Sequence, residues 1–252
     1  MILEVDFGNT RLKWRILDSV TLACIDRGAV LQILGLLPAL HAKGYYRFVF
    51  CRICSVRGCA DNAQLSAVIK DGFGLNTVYA RAFKQLAGVI SGYMQPEKLG
   101  VDRWLAIVAS YQQTKGASVV IDCGTAITVD FVTQSGRHLG GNIAPGLQLL
   151  SSMLKTGTQL MRDITEPKAV DNQQVGVSTE TAVAEGVRSM FVGFIREQLN
   201  VARARLGDSF SVICTGGDSA LVRSFFDDAI VDEDLVFIGL AIACPYREEE
   251  MK

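Results

Sequence analysis

The chain carries one short pattern twice: an apolar run, then Asp-x-Gly with small hydroxyl or amide residues, then a second apolar run. The first copy is Met1-Ile2-Leu3-Glu4-Val5-Asp6-Phe7-Gly8-Asn9-Thr10, leading to Lys13 and Trp14. The second is Val119-Val120-Ile121-Asp122-Cys123-Gly124-Thr125-Ala126-Ile127-Thr128, leading to Val129. A carboxylate at the end of a buried strand, followed at once by glycine, suits a hairpin that wraps phosphate. Glycine has no Cβ, so backbone N–H groups can approach phosphate oxygens; Thr and Asn add side-chain donors, and the Asp can hold a hydrated cation. Two such hairpins in 252 residues predict two similar halves, 1–116 and 117–252, facing one nucleotide.

That expectation needs a chain with a substantial core and without a diffuse polyanion surface. Apolar residues make up 49% and charged residues 20%, which predicts globular halves rather than disorder. The net charge of −1 provides no global attraction to nucleic acid or to an anionic membrane, so a polyanion must be handled at a local site. The most hydrophobic stretch, Ala29 to Leu40, is interrupted by Gln32 and Pro38 and falls well short of the ~20 residues that span a bilayer; it reads as a core-facing helix. Glu4 and Asp6 break any leader-like apolar start, and seven cysteines without framework spacing fit buried thiols in a reducing cytoplasm. Cys51 and Cys54 match C-x-x-C but lie in a strand-like run, so they read as strand residues.

Periodicity extends the plan. Strands are expected over Met1–Asp6, Leu12–Leu17 and Thr21–Asp26, a helix over Ala29–Ala42, a strand over Arg47–Ser55, a helix over Ala60–Lys70 and a strand over Leu75–Ala80. Ala82–Pro96 reads as an irregular, Gly-containing loop near substrate, and a helix follows from Gly100-Val101-Asp102-Arg103 to about Lys115. The second half replays this: strands at Ser118–Ile121, Ile127–Thr133 and Arg137–Ile143, a helix opened by Ala144-Pro145-Gly146, and a strand Ser211–Cys214 running into Thr215-Gly216-Gly217 and a helix from Ala220. Glycine-rich strand ends that open helices present backbone donors and a positive dipole end to a nucleotide. The repeat predicts an α/β fold: the duplicated actin/hexokinase-like (ribonuclease H-like) architecture, a mixed sheet flanked by helices in each half.

The ordered motifs Asp6-x-Gly8-Asn9-Thr10-x-x-Lys13, Gly100-Val101-Asp102-Arg103, Asp122-x-Gly124-Thr125, Gly140-Gly141-x-Ile143-x-Pro145-Gly146, Ser178-Thr179 and Thr215-Gly216-Gly217 resemble those of the type III pantothenate kinases. The resemblance implies ATP-dependent phosphorylation of pantothenate at the opening of coenzyme A biosynthesis. It implies that Asp6, Gly8, Asn9, Thr10, Lys13, Thr125, Gly216 and Gly217 bind ATP, with Asp6 at the Mg²⁺ site through water. Asp102 becomes the general base, and Tyr93, Gly100, Val101, Arg103 and Thr179 become pantothenate contacts, Thr179 across a homodimer interface. Asp122 is implied to hold a monovalent cation, K⁺ or NH₄⁺. From the residues alone, Asp102 is equally a helix-start acid, Tyr93 a packing residue, and Thr215-Gly216-Gly217 a tight connection. The competing functions are another small-molecule kinase or phosphohydrolase of the superfamily, and a regulatory accessory factor without catalysis. The lack of a basic stripe or helix-turn-helix disfavours nucleic acid as a partner.

Overall fold

The structure is a computed structural model that describes residues 1–157 and 175–247. Two compact units divide the chain: Met1–Gln113 with Asp234–Lys252, and Thr114–Glu233. The expected halves, 1–116 and 117–252, differ from these units chiefly at the C-terminal segment, which groups with the first unit.

In the first unit β1 (Ile2–Phe7), β2 (Leu12–Leu17), β3 (Cys24–Val30), β4 (Phe50–Ser55) and β5 (Thr77–Tyr79) form a sheet in the order β3-β2-β1-β4-β5. β1 pairs antiparallel with β2 and parallel with β4. Alternation gives the sheet two faces. Leu3, Val5 and Phe7 join Trp14, Ile16 and Ile53 in a core closed by Leu36 and Leu40 of α1 (Leu36–Ala42) and by Leu65 and Ile69 of α2 (Cys59–Phe73). Each such buried aliphatic side chain contributes about 1.5–3 kcal/mol through its removal from water. Ile2, Glu4 and Asp6 lie on the opposite face.

That opposite face holds a buried charge cluster. The fully buried Glu4 carboxylate accepts from Nε of Arg15 and from Nε of Arg52, the latter at 2.8 Å. Nη1 of Arg52 donates to the Cys244 carbonyl (2.9 Å), while Arg15 pairs with Asp234 (3.1 Å) and stacks over Phe237. These bonds tie α7 (Leu235–Ala243) to β1, β2 and β4 and explain why the C-terminal segment belongs to the first unit. Gly239 of α7 meets the backbone of Leu105 so closely that a Cβ would collide with the Leu105 carbonyl. Leu105 belongs to α3 (Val101–Thr114), which is buried from Arg103 through Ser110.

The second unit repeats the topology. β8 (Ser118–Cys123), β9 (Ala126–Val132), β10 (His138–Pro145), β11 (Ser211–Thr215) and β12 (Ile230–Val231) lie in the order β10-β9-β8-β11-β12, again antiparallel on one side of the first strand and parallel on the other. Its core sets Val119, Ile121 and Cys123 against Phe191, Ile195, Leu199 and Ala202 of α5 (Thr179–Leu206). Their spacing of three or four residues lays one stripe of that helix on the sheet.

Several expected elements shift. The apolar run after Ala29 is not one helix: Ala29 and Val30 complete β3 against Lys13 and Leu12, a 3₁₀ turn covers Ile33–Gly35, and α1 begins only at Leu36. The cause lies upstream. The Asp18 carboxylate accepts from the backbone of Val20 and Thr21, tightening a turn that starts β3 at Cys24 rather than Thr21. Pairing to β2 then satisfies backbone groups that a helix at Ala29 would leave unmatched. Pro145 closes β10, so α4 (Leu147–Gly157) starts after it; the loop 82–96 contains a small hairpin, β6 (Gln85–Leu86) with β7 (Val89–Ile90). The helix expected from Ala220 is α6 (Ser219–Arg223), and two helices, α5 and α7, lie outside the expectations above.

Five cysteines are buried, but Cys24 and Cys59 are exposed, which corrects the expectation of uniformly buried thiols. Cys51 belongs to the apolar core whereas Cys54, three residues along the strand, lies on the opposite face, so the C-x-x-C spacing forms no thiol pair.

Candidate active site

In the first unit the site is assembled at the carboxyl end of β1. Asp6 stands opposite Lys13 across the antiparallel pair and level with Cys54 across the parallel one, and Gly8, Asn9 and Thr10 make the hairpin tip, with Asn9 and Thr10 exposed. Burial raises the Asp6 carboxyl to about 6; the Lys13 ammonium opposes this, the Asp102 carboxylate adds to it, and a hydrogen bond from the Cys54 thiol opposes it. Lys13, Cys54 and Asp102 thus all act on Asp6. Like charges brought together in a half-buried place favour a cation between them, and carboxylate oxygens suit a hard, hydrated one. Among the described residues no group of three or more His, Cys, Asp or Glu could hold a metal ion.

Asp102 occupies the first turn of α3, where its carboxylate accepts the Arg103 N–H at 2.8 Å and its Oδ1 lies 2.8 Å from the position a Cβ on Gly100 would take. Val101 opens the helix. Arg103 is buried, and its Nη1 donates to the Tyr93 hydroxyl at 3.0 Å while the guanidinium lies 5.7 Å from that ring centre. Tyr93 is positioned by its N–H to Ser91 Oγ, and Lys84 caps the Ser91 carbonyl. The loop before α3 and the helix start thus bring Tyr93, Gly100, Val101, Asp102 and Arg103 together. A planar guanidinium beside a phenol and a helix-start carboxylate can recognise a small polar acceptor.

In the second unit Asp122 ends β8 level with Thr215, and Thr128 rather than a lysine stands opposite it. Gly124 and the exposed Thr125 form the turn, whose Thr125 carbonyl accepts the Gly146 N–H at 3.0 Å. Gly216 has φ +90°, and a Cβ there would lie 2.5 Å from the Cys123 carbonyl and 2.6 Å from Asp122 Oδ1. The Asp218 N–H donates to the Cys123 carbonyl, 3.1 Å, while Gly217 is exposed beside it. The connections after β10 and β11 therefore both meet this turn. Oxygen groups gather here: burial raises the Asp218 carboxyl, and burial with the charges of Cys214, Asp122 and Asp218 raises the Cys123 thiol. Oxygen donors of this kind suit a hard cation. Gly216→Ala is expected to destabilise the protein by about 1–3 kcal/mol, because it joins a left-handed backbone to a backbone collision. Thermal unfolding with less than a 1 °C shift would contradict the crowding.

Thr179, also in the second unit, is exposed at the start of α5, next to the capping residue Ser178, whose Oγ accepts the Thr181 N–H. It lines an open groove with Leu154, Val177, Val183 and Met190. The buried pair His138 and Asp130, 2.9 Å apart, is separate from these clusters in sequence role, joining β9 to β10. Cys54 was not among the expected site residues. Its only sequence signal is its position at the end of β4, and that becomes meaningful once the strand register is fixed.

The sheet order, parallel and antiparallel pattern and strand-end hairpins define the duplicated actin/hexokinase-like α/β fold. Solved structures agree: a ROK family glucokinase from Streptomyces griseus, in complex with glucose and AMPPNP, superposes with TM-score 0.52 at 12% identity, covering 95% of this chain and 97% of that one. A Baf family protein from Campylobacter jejuni gives TM-score 0.59 at 22% identity, covering 94% of each. The family model for type III pantothenate kinase matches residues 2–201. Type III pantothenate kinases of Pseudomonas syringae pv. syringae and Ectopseudomonas mendocina are 42% and 43% identical over 249 and 247 residues, covering 98% and 97% of this chain and 100% and 99% of theirs. The chain belongs to the type III pantothenate kinase family.

Proposed function

We propose that this protein transfers the γ-phosphoryl group of ATP to pantothenate, giving 4′-phosphopantothenate and ADP in the first step of coenzyme A biosynthesis. The observation that carries this reading is the convergence of Asp6, Lys13 and Asp102 at one strand end, within a family of that activity. Hairpin N–H groups at Gly8, Asn9 and Thr10, with Lys13, hold phosphate oxygens, and the family resemblance also assigns Thr125, Gly216 and Gly217 to ATP. Asp6 would hold hydrated Mg²⁺, whose charge would neutralise phosphate oxygens. Phosphoryl transfer mainly requires such alignment and charge stabilisation.

Tyr93, Gly100, Val101 and Arg103 orient pantothenate so that its primary hydroxyl approaches Asp102. The hydroxyl oxygen forms a bond to the γ-phosphorus as the bond to the bridging oxygen breaks, ADP leaves, and the proton passes to Asp102. A carboxylate is too weak a base to deprotonate an alcohol beforehand, so Asp102 orients first and accepts the proton late. Asp122 would hold K⁺ or NH₄⁺. Thr179 completes a partner's substrate site in a homodimer, a role supported by the exposure of Val177 and Met190 along the same groove. Among the described residues no helix is long and apolar enough to cross a membrane.

The test is pantothenate-dependent ADP formation with Mg²⁺, in K⁺ or Na⁺. Turnover should require pantothenate and rise with K⁺, and Asp122→Ala should lose the K⁺ response. Lys13→Ala should raise the KM for ATP by about tenfold or more, the effect of removing one charged phosphate contact. A folded protein that turns over other alcohols but not pantothenate would move the reading to another kinase of this fold; one with no turnover on any acceptor would move it to the regulatory role.

A further inference from the structure

The phosphate hairpin of the first unit is held from outside by a residue that the family reading does not use. Arg57, in the turn between β4 and α2, donates from Nη1 to the carbonyl of Asn9 at the hairpin tip, 3.0 Å away. Its Nε donates to Asp61 in the first turn of α2 at 2.7 Å, and the guanidinium lies over the Phe7 ring, 5.4 Å from the centre. The turn carrying Arg57 is itself fixed. The Arg57 N–H donates to Ser55 Oγ (3.1 Å), Ser55 Oγ donates to Asn62 Oδ1 (2.6 Å), and Asn62 Nδ2 donates to the Arg57 carbonyl (3.1 Å). Beside it the Val56 N–H reaches the Phe7 carbonyl at 3.2 Å, extending the pairing of β1 and β4 to the base of the hairpin.

A trans peptide points its C=O and the following N–H in opposite directions. Holding the Asn9 carbonyl on the Arg57 side therefore aims the Thr10 N–H to the other side of the hairpin and opposes rotation of that peptide. The internal duplication sharpens the contrast. Asp6 is level with Cys54 and Asp122 with Thr215, so the turn after β4, Ser55-Val56-Arg57, corresponds to the turn after β11, Gly216-Gly217-Asp218. The first turn carries a cation that braces its neighbouring hairpin; the second opens with two glycines and meets its hairpin through the backbone N–H of Asp218.

We propose that Arg57 is a positioning residue for phosphoryl transfer, which fixes the Asn9–Thr10 peptide of the hairpin in its phosphate-facing orientation and is itself oriented by Asp61. The proposal rests on the reading of this hairpin as the ATP phosphate site. Its signature is selective: binding of ATP depends on Arg57, whereas binding of pantothenate does not.

Steady-state kinetics with each substrate varied, on Arg57→Ala, Arg57→Lys, Asp61→Asn and Lys13→Ala, test both statements separately. Arg57→Ala should raise the KM for ATP by about tenfold and leave that for pantothenate within about twofold, since displacement of a binding peptide by even ~1 Å weakens alignment. Arg57→Lys, which keeps the charge but cannot span Asn9 and Asp61 with one planar group, should recover part of the loss, and Asp61→Asn should fall between it and wild type. An unchanged KM for ATP in Arg57→Ala, with a raised one in Lys13→Ala, overturns the role of Arg57 and leaves the hairpin reading standing. No change in either overturns the hairpin reading and the inference with it. Equal rises for both substrates, accompanied by a lower melting temperature, assign Arg57 to general packing and overturn the proposal. Should Arg57→Ala fail to fold, Arg57→Lys and Asp61→Asn carry the same comparison.

Discussion

Asp102→Asn is expected to lower kcat by about 10²- to 10⁴-fold while the protein folds and still binds ATP, the range associated with loss of a positioned general base. The substitution is nearly isosteric, and the amide oxygen can still accept the Arg103 N–H that Asp102 now holds at 2.8 Å. The start of α3 should therefore survive. Removing the negative charge also removes one of the influences that raise Asp6, so the cation and phosphate side of the site gains rather than loses. A fall in kcat with little change in the KM for ATP follows from that asymmetry. Stopped-flow or coupled assays, with circular dichroism as the folding control, decide it; turnover within about threefold of wild type would remove Asp102 from the base role, because general-base loss is a larger effect.

Glu4→Ala should produce the largest loss of stability among single substitutions on the charged sheet face. Glu4 is fully buried and is shared by Arg15 and Arg52, both nearly inaccessible. Its removal leaves two buried guanidiniums without their common counter-ion, a situation that costs about 3–5 kcal/mol. In a protein of this size that corresponds to a fall in melting temperature of roughly 10 °C. The remaining partners, Asp234 for Arg15 and the Cys244 carbonyl for Arg52, lie toward α7, so the loss should also loosen the C-terminal helix. Denaturant unfolding with hydrogen exchange at α7 measures both effects. A shift below about 1 kcal/mol would mean that water replaces the carboxylate, making this cluster behave as an exposed ion pair.

The sequence displayed its duplication directly because strand alternation and Asp-x-Gly chemistry are local. Apolar residues at every second position set the core face of β1 and β8, and so put Asp6 and Asp122 at matching ends. The ordered motifs also carried the family. Helix and strand boundaries were less legible where local and tertiary demands competed. Ala29 and Val30 have neighbours that suit a helix, but the exposed backbone of β2 takes them into β3. The roles of Cys54 and Arg57 were invisible for a related reason: each acts across a strand register or a turn on a residue nearly fifty positions away.

What the sequence by itself determined is the repeated α/β plan, the placement of a carboxylate and glycine at the end of each first strand, and membership of the kinase family, since all three depend on short-range pattern. What only the tertiary structure decided is which groups act on those carboxylates: Lys13 and Cys54 beside Asp6, Asp102 within range of its charge, Gly216 pressed on Asp122, and Arg57 on the hairpin tip. It also decided that the last helix completes the first unit, through Glu4, Arg15 and Arg52. The physical reason is that electrostatic and hydrogen-bond energies depend on distance and burial, and for residues far apart in the chain both are set by sheet register and packing.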